Sequence, residues 1–205
     1  MSSRPALGPA TAALCAVLAL TACQGSPEAG HPNTTPTPTS AAPTPTPTPP
    51  RPSTPTWTPE EQAAITAARA RYLAARAASE RALQAPAKAN RAILEGAGNG
   101  GAWLTDIIEE ITFYRERGWF QGGSIELSAP SAKSVRLKTQ QPEVTFTVCV
   151  DTSAVVIRYQ ATKKPVPMGP DNGARHQARA RMVLAPGANG QKAWFLVEEG
   201  GGERC

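Results

Sequence analysis

The sequence predicts an α+β domain in which N-terminal helices pack on one face of a curved antiparallel sheet, preceded by an export signal and a disordered linker. Three observations support this prediction. Residues 12–20 form an apolar run behind a basic start, residues 24–56 consist mostly of proline, threonine, serine, glycine and alanine, and the periodicity changes from helical to alternating near residue 123. Helices followed by an antiparallel meander are typical of the α+β class. The predicted segments are residues 1–22, 23–56 and 57–205.

The first segment ends in Leu20-Thr21-Ala22-Cys23, directly after the apolar run. About nine apolar residues are too few to span a bilayer, and small residues before a cleavage point are typical of an export signal. These four residues resemble the bacterial lipoprotein box, in which the cysteine thiol receives diacylglycerol, with palmitate among the usual acyl chains, and the signal is removed before it. The resemblance implies that Cys23 begins a mature lipoprotein on the extracytoplasmic side of the cell membrane. The alternative is an ordinary secretory signal with a chance cysteine.

The remaining cysteines are divided by their position in the chain. Cys15 leaves with the signal, so Cys149 and Cys205 stay in the folded part. Two such thiols in an exported chain favour a disulfide, which would close a loop of about 55 residues and stabilise the fold by roughly 4 kcal/mol. The alternative is two unpaired thiols. Because a cysteine pair without a nearby histidine is a poor zinc site, we predict no metal. The sequence also has no cofactor fingerprint, so we predict no cofactor.

The linker includes an alternating run of proline and threonine from Pro43 to Pro50. Such a segment has little to bury, and its prolines favour the extended polyproline II conformation. At about 3.1 Å per residue it would hold the domain on the order of 100 Å from the membrane. We interpret it as a spacer, although similar motifs also bind aromatic grooves or carry O-linked sugar.

The folded segment opens with a helix start at residues 58–61, where a threonine cap precedes a proline and two glutamates. We predict a helix from there to about Gln84, with a thin apolar stripe that is rich in alanine. Pro86 ends this helix, and a short second helix is predicted from Ala87 to Glu95. The glycine-rich run 96–101 lacks the ending of a phosphate-binding loop, so we interpret it as a flexible connection.

A third helix is predicted from Ala102 to Arg117, where Gly118 supplies the stop signal. Its apolar stripe comprises Leu104, Ile107, Ile108, Ile111 and Tyr114. Its acidic residues are Asp106, Glu109, Glu110 and Glu116. Two carboxylates four residues apart can serve metal or acid–base chemistry, but this spacing is also typical of the wet side of an amphipathic helix. We therefore predict that the acidic cluster faces solvent.

Beyond residue 123, six short segments alternate apolar and polar residues as half-buried strands do. The predicted strands are residues 124–128, 133–139, 143–151, 154–161, 175–185 and 192–199. In the third strand, the side chains of Val144, Phe146, Val148 and Val150 share one face. Asp151-Thr152-Ser153 is a natural tight turn, so we predict that the third and fourth strands form a hairpin.

Several anchor segments follow one another in this part of the chain: residues 148–153, residues 175–182 and residues 194–197, before the terminal Cys205. Together with the export signal and the linker, they resemble small actinobacterial secreted lipoproteins whose domain has the cone-shaped α+β fold of nuclear transport factor 2. The resemblance covers residues 57–205 and implies a cone covered by helices. Folds of this shape host isomerases, dehydratases, secretion-channel subunits and pure binding modules, so the resemblance leaves the function open.

Positive charge is concentrated in the sheet half, where residues 133–192 contain ten basic and three acidic side chains. Arg175, Arg179 and Arg181 alternate along one strand and therefore share a side, and we expect Arg158 nearby. This basic stripe is a candidate binding site for an anionic envelope polymer, lipid head groups or an acidic protein; the alternative is a surface that only keeps the domain soluble. Nucleic acid is a poor partner outside the cell, and no aromatic residues are interleaved with these arginines.

Catalysis inside such a cone would need an acid or a base, and the candidates are Tyr72, Tyr159, Asp151 and His176. They do not match the motif of the isomerase family residue by residue, and the sequence has no nucleophile elbow, paired metal ligands or cofactor fingerprint. We therefore predict a membrane-anchored, non-catalytic binding or interaction domain without catalytic residues. The alternatives are a protein that binds or converts a small ligand in the cone, as an isomerase or dehydratase would, and a subunit of an envelope secretion or conjugation assembly.

Overall fold

The computed structural model describes residues 56–167 and 175–205, so Cys23 and nearly all of the linker lie outside the described residues. The described helices are α1 (Pro59–Gln84), α2 (Arg91–Ala97) and α3 (Gly101–Arg117). The described strands are β1 (Trp119–Gly122), β2 (Glu126–Leu127), β3 (Ser131–Arg136), β4 (Glu143–Asp151), β5 (Val156–Tyr159), β6 (Arg175–Pro186) and β7 (Lys192–Gly201).

Helix α1 begins and ends where the sequence predicts. The Thr58 hydroxyl accepts a hydrogen bond from the Glu61 backbone N–H at 3.3 Å, and the Glu61 carboxylate accepts one from the Thr58 N–H at 2.9 Å. This reciprocal capping satisfies two backbone donors that have no partner inside the helix. The predicted second helix is in fact divided, because Pro86–Lys88 forms one 3-10 turn and Asn90 then caps α2 through the Ala92 N–H.

The helices cover one face of a strongly curled antiparallel sheet, which confirms the predicted α+β class. Its strand order is β2-β4-β6-β7, and β3 follows β2 along the same edge of β4. The predicted inner face of β4 is buried, and with α1 it forms the main core. This core contains Ile65, Ala68, Tyr72, Ala75, Val144, Phe146, Val148 and Val150.

The predicted hairpin between the third and fourth strands is wrong. The Asp151 carboxylate does accept a hydrogen bond from the Ser153 N–H at 2.9 Å, so the turn forms as expected. Both edges of β4 are already paired, however, with β2 and β3 on one side and β6 on the other. Strand β5 therefore pairs with β1 in a separate two-stranded ribbon, where Ile157 lies opposite Gln121. The four residues of β1 are too few to show a period in the sequence.

The glycine-rich run is an ordered connection packed against β7, so the expectation of a flexible segment is wrong. The Gly100 N–H donates to the Leu196 carbonyl at 2.9 Å, and the Leu196 N–H donates to the Gly98 carbonyl at 2.7 Å. A Cβ at Gly98 would lie 2.7 Å from Nε of Arg71. The glycines thus allow the chain to approach its neighbours closely, which few other residues permit.

A β-bulge in β7 reverses the direction of the side chains beyond it. Leu196 pairs with Met182 and Glu198 with Arg181, so Val197 is the extra residue. One inserted residue turns every following side chain to the other face of the sheet. Glu199 consequently points toward the helices, where its side chain is only 7% exposed.

The C-terminus is attached to the sheet by a disulfide between Cys149 of β4 and Cys205, whose Cα atoms are 6.0 Å apart. This is the pairing that the sequence favours. The Gln177 N–H also donates to the Glu203 carbonyl at 2.7 Å, so the last residues follow β6. In the part of the chain that the structure describes, none of the helices has the length and apolar character required to cross a membrane.

Candidate functional site

A pocket of about 350 Å³ lies between α1, α3 and the ribbon of β1 and β5. Its apolar wall is formed by Leu83, Ile107, Ile125, Val155 and Ile157. Its polar and aromatic lining consists of Arg76, Ser79, Glu80, Trp103, Glu110, Tyr114, Gln121 and Thr152. Apolar walls with a few convergent polar groups are the usual form of a small-molecule site, and this volume is at the lower end of the normal range.

Helical spacing explains why these side chains meet. Arg76, Glu80 and Leu83 are separated by four and three residues, so they share one face of α1. The same spacing joins four pocket residues of α3, which are Trp103, Ile107, Glu110 and Tyr114. Each helix therefore presents to the pocket one face that combines apolar and polar side chains, and the ribbon of β1 and β5 closes the third side.

Arg76 lies at the boundary between the pocket and the core. Its Nη1 is 3.1 Å from Oε1 of Glu199, and both side chains are nearly buried, at 11% and 7% exposure. The guanidinium also lies over the ring of Trp103, 5.1 Å from its centroid. The positive charge of Arg76 is thus balanced by Glu199, which the bulge in β7 has turned inward.

Tyr72 is fully buried beside this ion pair. Burial raises the pKa of its phenol far above the ordinary value, the negative charge of Glu199 raises it further, and the charge of Arg76 lowers it. The phenol therefore stays protonated and contributes apolar contacts to the core.

Glu110 lies at the edge of the pocket and keeps contact with solvent. Partial desolvation raises the pKa of its carboxyl group, while a hydrogen bond with Tyr114 and the charge of Arg76 lower it. Burial, followed by the charge of Glu110, raises the pKa of the Tyr114 phenol. Glu110 is exposed, as the prediction for the acidic cluster requires, but it follows the buried Ile107 by three positions on the same helix face and therefore also borders the pocket.

Gln121 is a buried polar residue in the wall of the pocket, with 3% of its surface exposed. Its backbone is held in the ribbon opposite Ile157. Among the residues that the structure describes, no group accepts a hydrogen bond from its side-chain Nε2. A buried donor without an acceptor costs about 1–3 kcal/mol, so the side chain is well placed to donate to a ligand.

Other polar residues of the pocket are occupied by structural contacts. The Ser79 hydroxyl and the Trp103 indole N–H, which line the pocket, donate to Oδ1 of the fully buried Asn99 at 2.9 Å and 2.7 Å. Oε1 of Glu80 accepts from the Ile125 backbone N–H at 3.0 Å. These contacts fix the pocket walls and leave Glu110, Tyr114 and Gln121 as its reactive or binding groups.

The basic stripe predicted from the sequence is present on β6 but is partly neutralised. Arg175, Arg179 and Arg181 alternate with buried residues and so share the outer side of the sheet. Nε of Arg175 is 3.3 Å from the Asp151 carboxylate, and Nε of Arg181 is 3.0 Å from the Glu198 carboxylate. Over the described ranges, Arg179 has no such ion pair.

The expected position of Arg158 close to this stripe is not observed. Arg158 belongs to the two-stranded ribbon, where it lies opposite Phe120, and its Nη1 donates to the Lys163 carbonyl at 3.0 Å. The prediction depended on pairing the third and fourth predicted strands, and that pairing does not occur.

None of the four catalytic candidates from the sequence lines the pocket, and only Asp151 and His176 are neighbours, one register position apart on the paired strands β4 and β6. Tyr72 is in the main core, and Tyr159 is exposed beside Trp119, with ring centroids 6.3 Å apart. Asp151 forms a turn, and hydrogen bonds from Ser153, together with the charge of Arg175, lower its pKa. His176 pairs with Val150 in the sheet. In the described chain, no group of three or more potential metal ligands is present.

Comparisons with known proteins do not assign a family. No family model and no curated protein sequence matches the chain. The solved structures that resemble it include the crystal structure of the intermembrane space region of the chloroplast protein ARC6, with 13% sequence identity and a TM-score of 0.45. The match covers 73% of this chain and 99% of that one, and a likeness this weak shows neither family nor function.

Proposed function

We propose that this chain is a lipid-anchored extracytoplasmic binding protein whose domain holds a small molecule in the pocket between α1 and α3. The observation that supports this proposal is the buried amide of Gln121, whose Nε2 donor has no acceptor within the described chain. Proteins pair about nine-tenths or more of their buried polar groups, so an unmet donor in a pocket wall indicates a place for a ligand. Glu110 and Tyr114 line the same pocket.

The basic stripe on β6 is the weaker candidate for the binding surface. Two of its three arginines already pair with acidic residues of neighbouring strands, Asp151 and Glu198. Such exposed pairs add little stability, but the paired carboxylates weaken the attraction that these arginines offer to a polyanion. A pocket with an unsatisfied donor is therefore favoured over binding of an anionic envelope polymer.

The lipid anchor is supported by the sequence Leu20-Thr21-Ala22-Cys23. Mass spectrometry of the mature protein should find diacylglyceryl-modified Cys23 at its N-terminus. The variant Cys23→Ala should appear in the medium, because no acyl chain then retains it. A mature chain that begins at another residue, or that carries no acyl mass, would contradict the anchor.

Ligand binding is tested with a pair of glutamine variants. Compounds that shift the side-chain amide resonances of Gln121 in an NMR screen of small polar molecules are titrated against Gln121→Leu, which removes the donor without leaving a buried polar group unpaired. We expect a loss of affinity of about fivefold or more, since a lost hydrogen bond costs about 1 kcal/mol or more. The control Gln177→Leu changes an exposed glutamine of β6 and should bind as the parent does. Equal binding by both variants, or no binding compound at all, would contradict the proposal.

A second candidate function is acid–base catalysis in the same pocket. It is favoured by the raised pKa of Glu110 beside Tyr114, because perturbed titratable groups are concentrated at catalytic sites. A bound compound that is converted over time, with conversion abolished and binding kept in Glu110→Gln, would establish an enzyme. If the bound compound is recovered unchanged, the pocket binds it without catalysing its conversion.

A further inference from the structure

The charges around the pocket do not cancel. The guanidinium of Arg76 is paired with Glu199 at 3.1 Å and lies against Trp103, so its charge is already compensated. Two further carboxylates, Glu80 and Glu110, line the pocket. Neither forms an ion pair with another described residue, and Oε1 of Glu80 accepts from two uncharged donors, Nε2 of Gln84 and the Ile125 backbone N–H. The side chains around the pocket therefore carry more negative than positive formal charge.

The two groups best placed to bind a ligand have opposite hydrogen-bonding requirements. Gln121 offers an N–H donor that lacks an acceptor, so it requires an acceptor on the ligand. The Glu110 carboxylate, beside the Tyr114 hydroxyl, accepts hydrogen bonds and carries negative charge. They come from different elements, β1 and α3, and face a pocket whose remaining wall combines apolar side chains with polar and charged ones. A ligand that satisfies both needs a cationic donor at one end and a neutral acceptor at the other.

We infer that the pocket binds a small primary amine that also carries hydroxyl or carbonyl groups, as amino sugars and amino alcohols do. The ammonium group donates to the Glu110 carboxylate and the Tyr114 hydroxyl, and an oxygen of the ligand accepts from the Gln121 amide. Charge-assisted hydrogen bonds are about twice as strong as neutral ones, so the ammonium contributes most of the affinity. This inference rests on the proposed function, since it concerns the ligand of the same pocket.

Other ligand classes fit the same groups less well. An anion would meet the carboxylates of Glu80 and Glu110, whereas the guanidinium of Arg76 is already engaged by Glu199. A neutral polyol satisfies Gln121 but leaves the negative charge of Glu110 uncompensated. A polymer is excluded from the interior by size, because about 350 Å³ holds a molecule of roughly one sugar unit.

The experiment uses matched compounds that differ in one functional group. The mature lipidated protein in detergent is titrated by calorimetry with glucosamine, glucose and glucuronate, and with 3-aminopropanol, 1,3-propanediol and 3-hydroxypropionate. We expect the amine of at least one set to bind tenfold or more tightly than its neutral analogue, and the acid to bind most weakly. The variant Glu110→Gln should remove the preference for the amine. Its control Asp106→Asn, an exposed acid of the same helix that does not line the pocket, should keep the preference.

The results separate the ligand class from the proposed function. Preference for a neutral or acidic compound, or failure of both amines to bind, overturns the amine assignment. In that case the NMR screen and Gln121→Leu still decide whether the pocket binds small molecules at all. An amine preference that survives in Glu110→Gln also overturns the assignment, because a group other than Glu110 would then recognise the ammonium charge of the ligand.

Discussion

At the scale of single residues, Glu198 and Glu199 show how one bulge determines the environment of two neighbours. Glu198 pairs with Arg181 on the outer side of the sheet, where the two side chains are 62% and 40% exposed. Glu199 pairs with Arg76 in the interior, where both are nearly buried. The same chemical pair therefore occurs twice, once screened by water and once with little solvent.

The two glutamates should differ sharply in their contribution to stability. Glu199→Gln leaves the buried guanidinium of Arg76 without its counter-charge, and we expect a loss of about 3 kcal/mol in the free energy of unfolding. Glu198→Gln breaks an exposed pair and should cost at most about 1 kcal/mol. Urea unfolding of both variants measures the difference. Equal midpoints would mean that the interior pair is hydrated and that the negative pocket charge has been overestimated.

At the scale of elements, the packing of the glycine-rich connection against β7 depends on Gly101, the first residue of α3. Its φ is +54°, and a Cβ there would lie 2.8 Å from Cβ of Val197. Val197 is also the bulged residue that turns Glu199 inward. The connection and the bulge are therefore in direct contact.

Replacement of these glycines should have opposite effects along one short run. Gly101→Ala places a side chain at positive φ and against Val197, so we expect a loss of about 2 kcal/mol. Gly96→Ala is the control, because it lies in α2 and a Cβ there meets nothing within 4 Å. Since alanine favours a helix over glycine by about 0.5–1 kcal/mol, this variant should be neutral or more stable. If neither variant loses stability appreciably, the result would support the flexible connection that the sequence suggested.

The elements that follow from local chemistry were predictable, and those that depend on tertiary pairing were not. Helix α1 and strand β4 have the predicted bounds, because capping residues and strict alternation mark their ends. The inward turn of Glu199 depends on a bulge that alternation does not reveal. Glu110 could have been found, since it lies four residues before the buried Tyr114. The unpaired Nε2 donor of Gln121 could not have been predicted, because β1 is too short to be recognised from its sequence.

At the scale of the whole molecule, the disulfide closes the sheet on the side away from the pocket residues. Cys149 lies on the outer side of β4, whereas the pocket is formed by α1, α3 and the ribbon. The sequence predicted this pair by elimination among four cysteines, because redox compartment and count restrict the choice. Stability and ligand binding should therefore respond differently to its removal.

Reduction of the disulfide should lower stability and leave the folded pocket intact. The bridge joins residues 56 positions apart, and the loop-entropy relation gives a loss of about 4 kcal/mol when it is opened. Urea unfolding with and without a reductant measures the loss, and the double variant Cys149→Ser, Cys205→Ser should be destabilised to the same degree and not respond to reductant. Because neither cysteine lines the pocket, the affinity of the reduced protein for a pocket ligand should be unchanged in conditions where it remains folded. A loss of affinity without unfolding would show instead that the C-terminal attachment of the sheet determines the shape of the pocket through β7, Glu199 and Arg76.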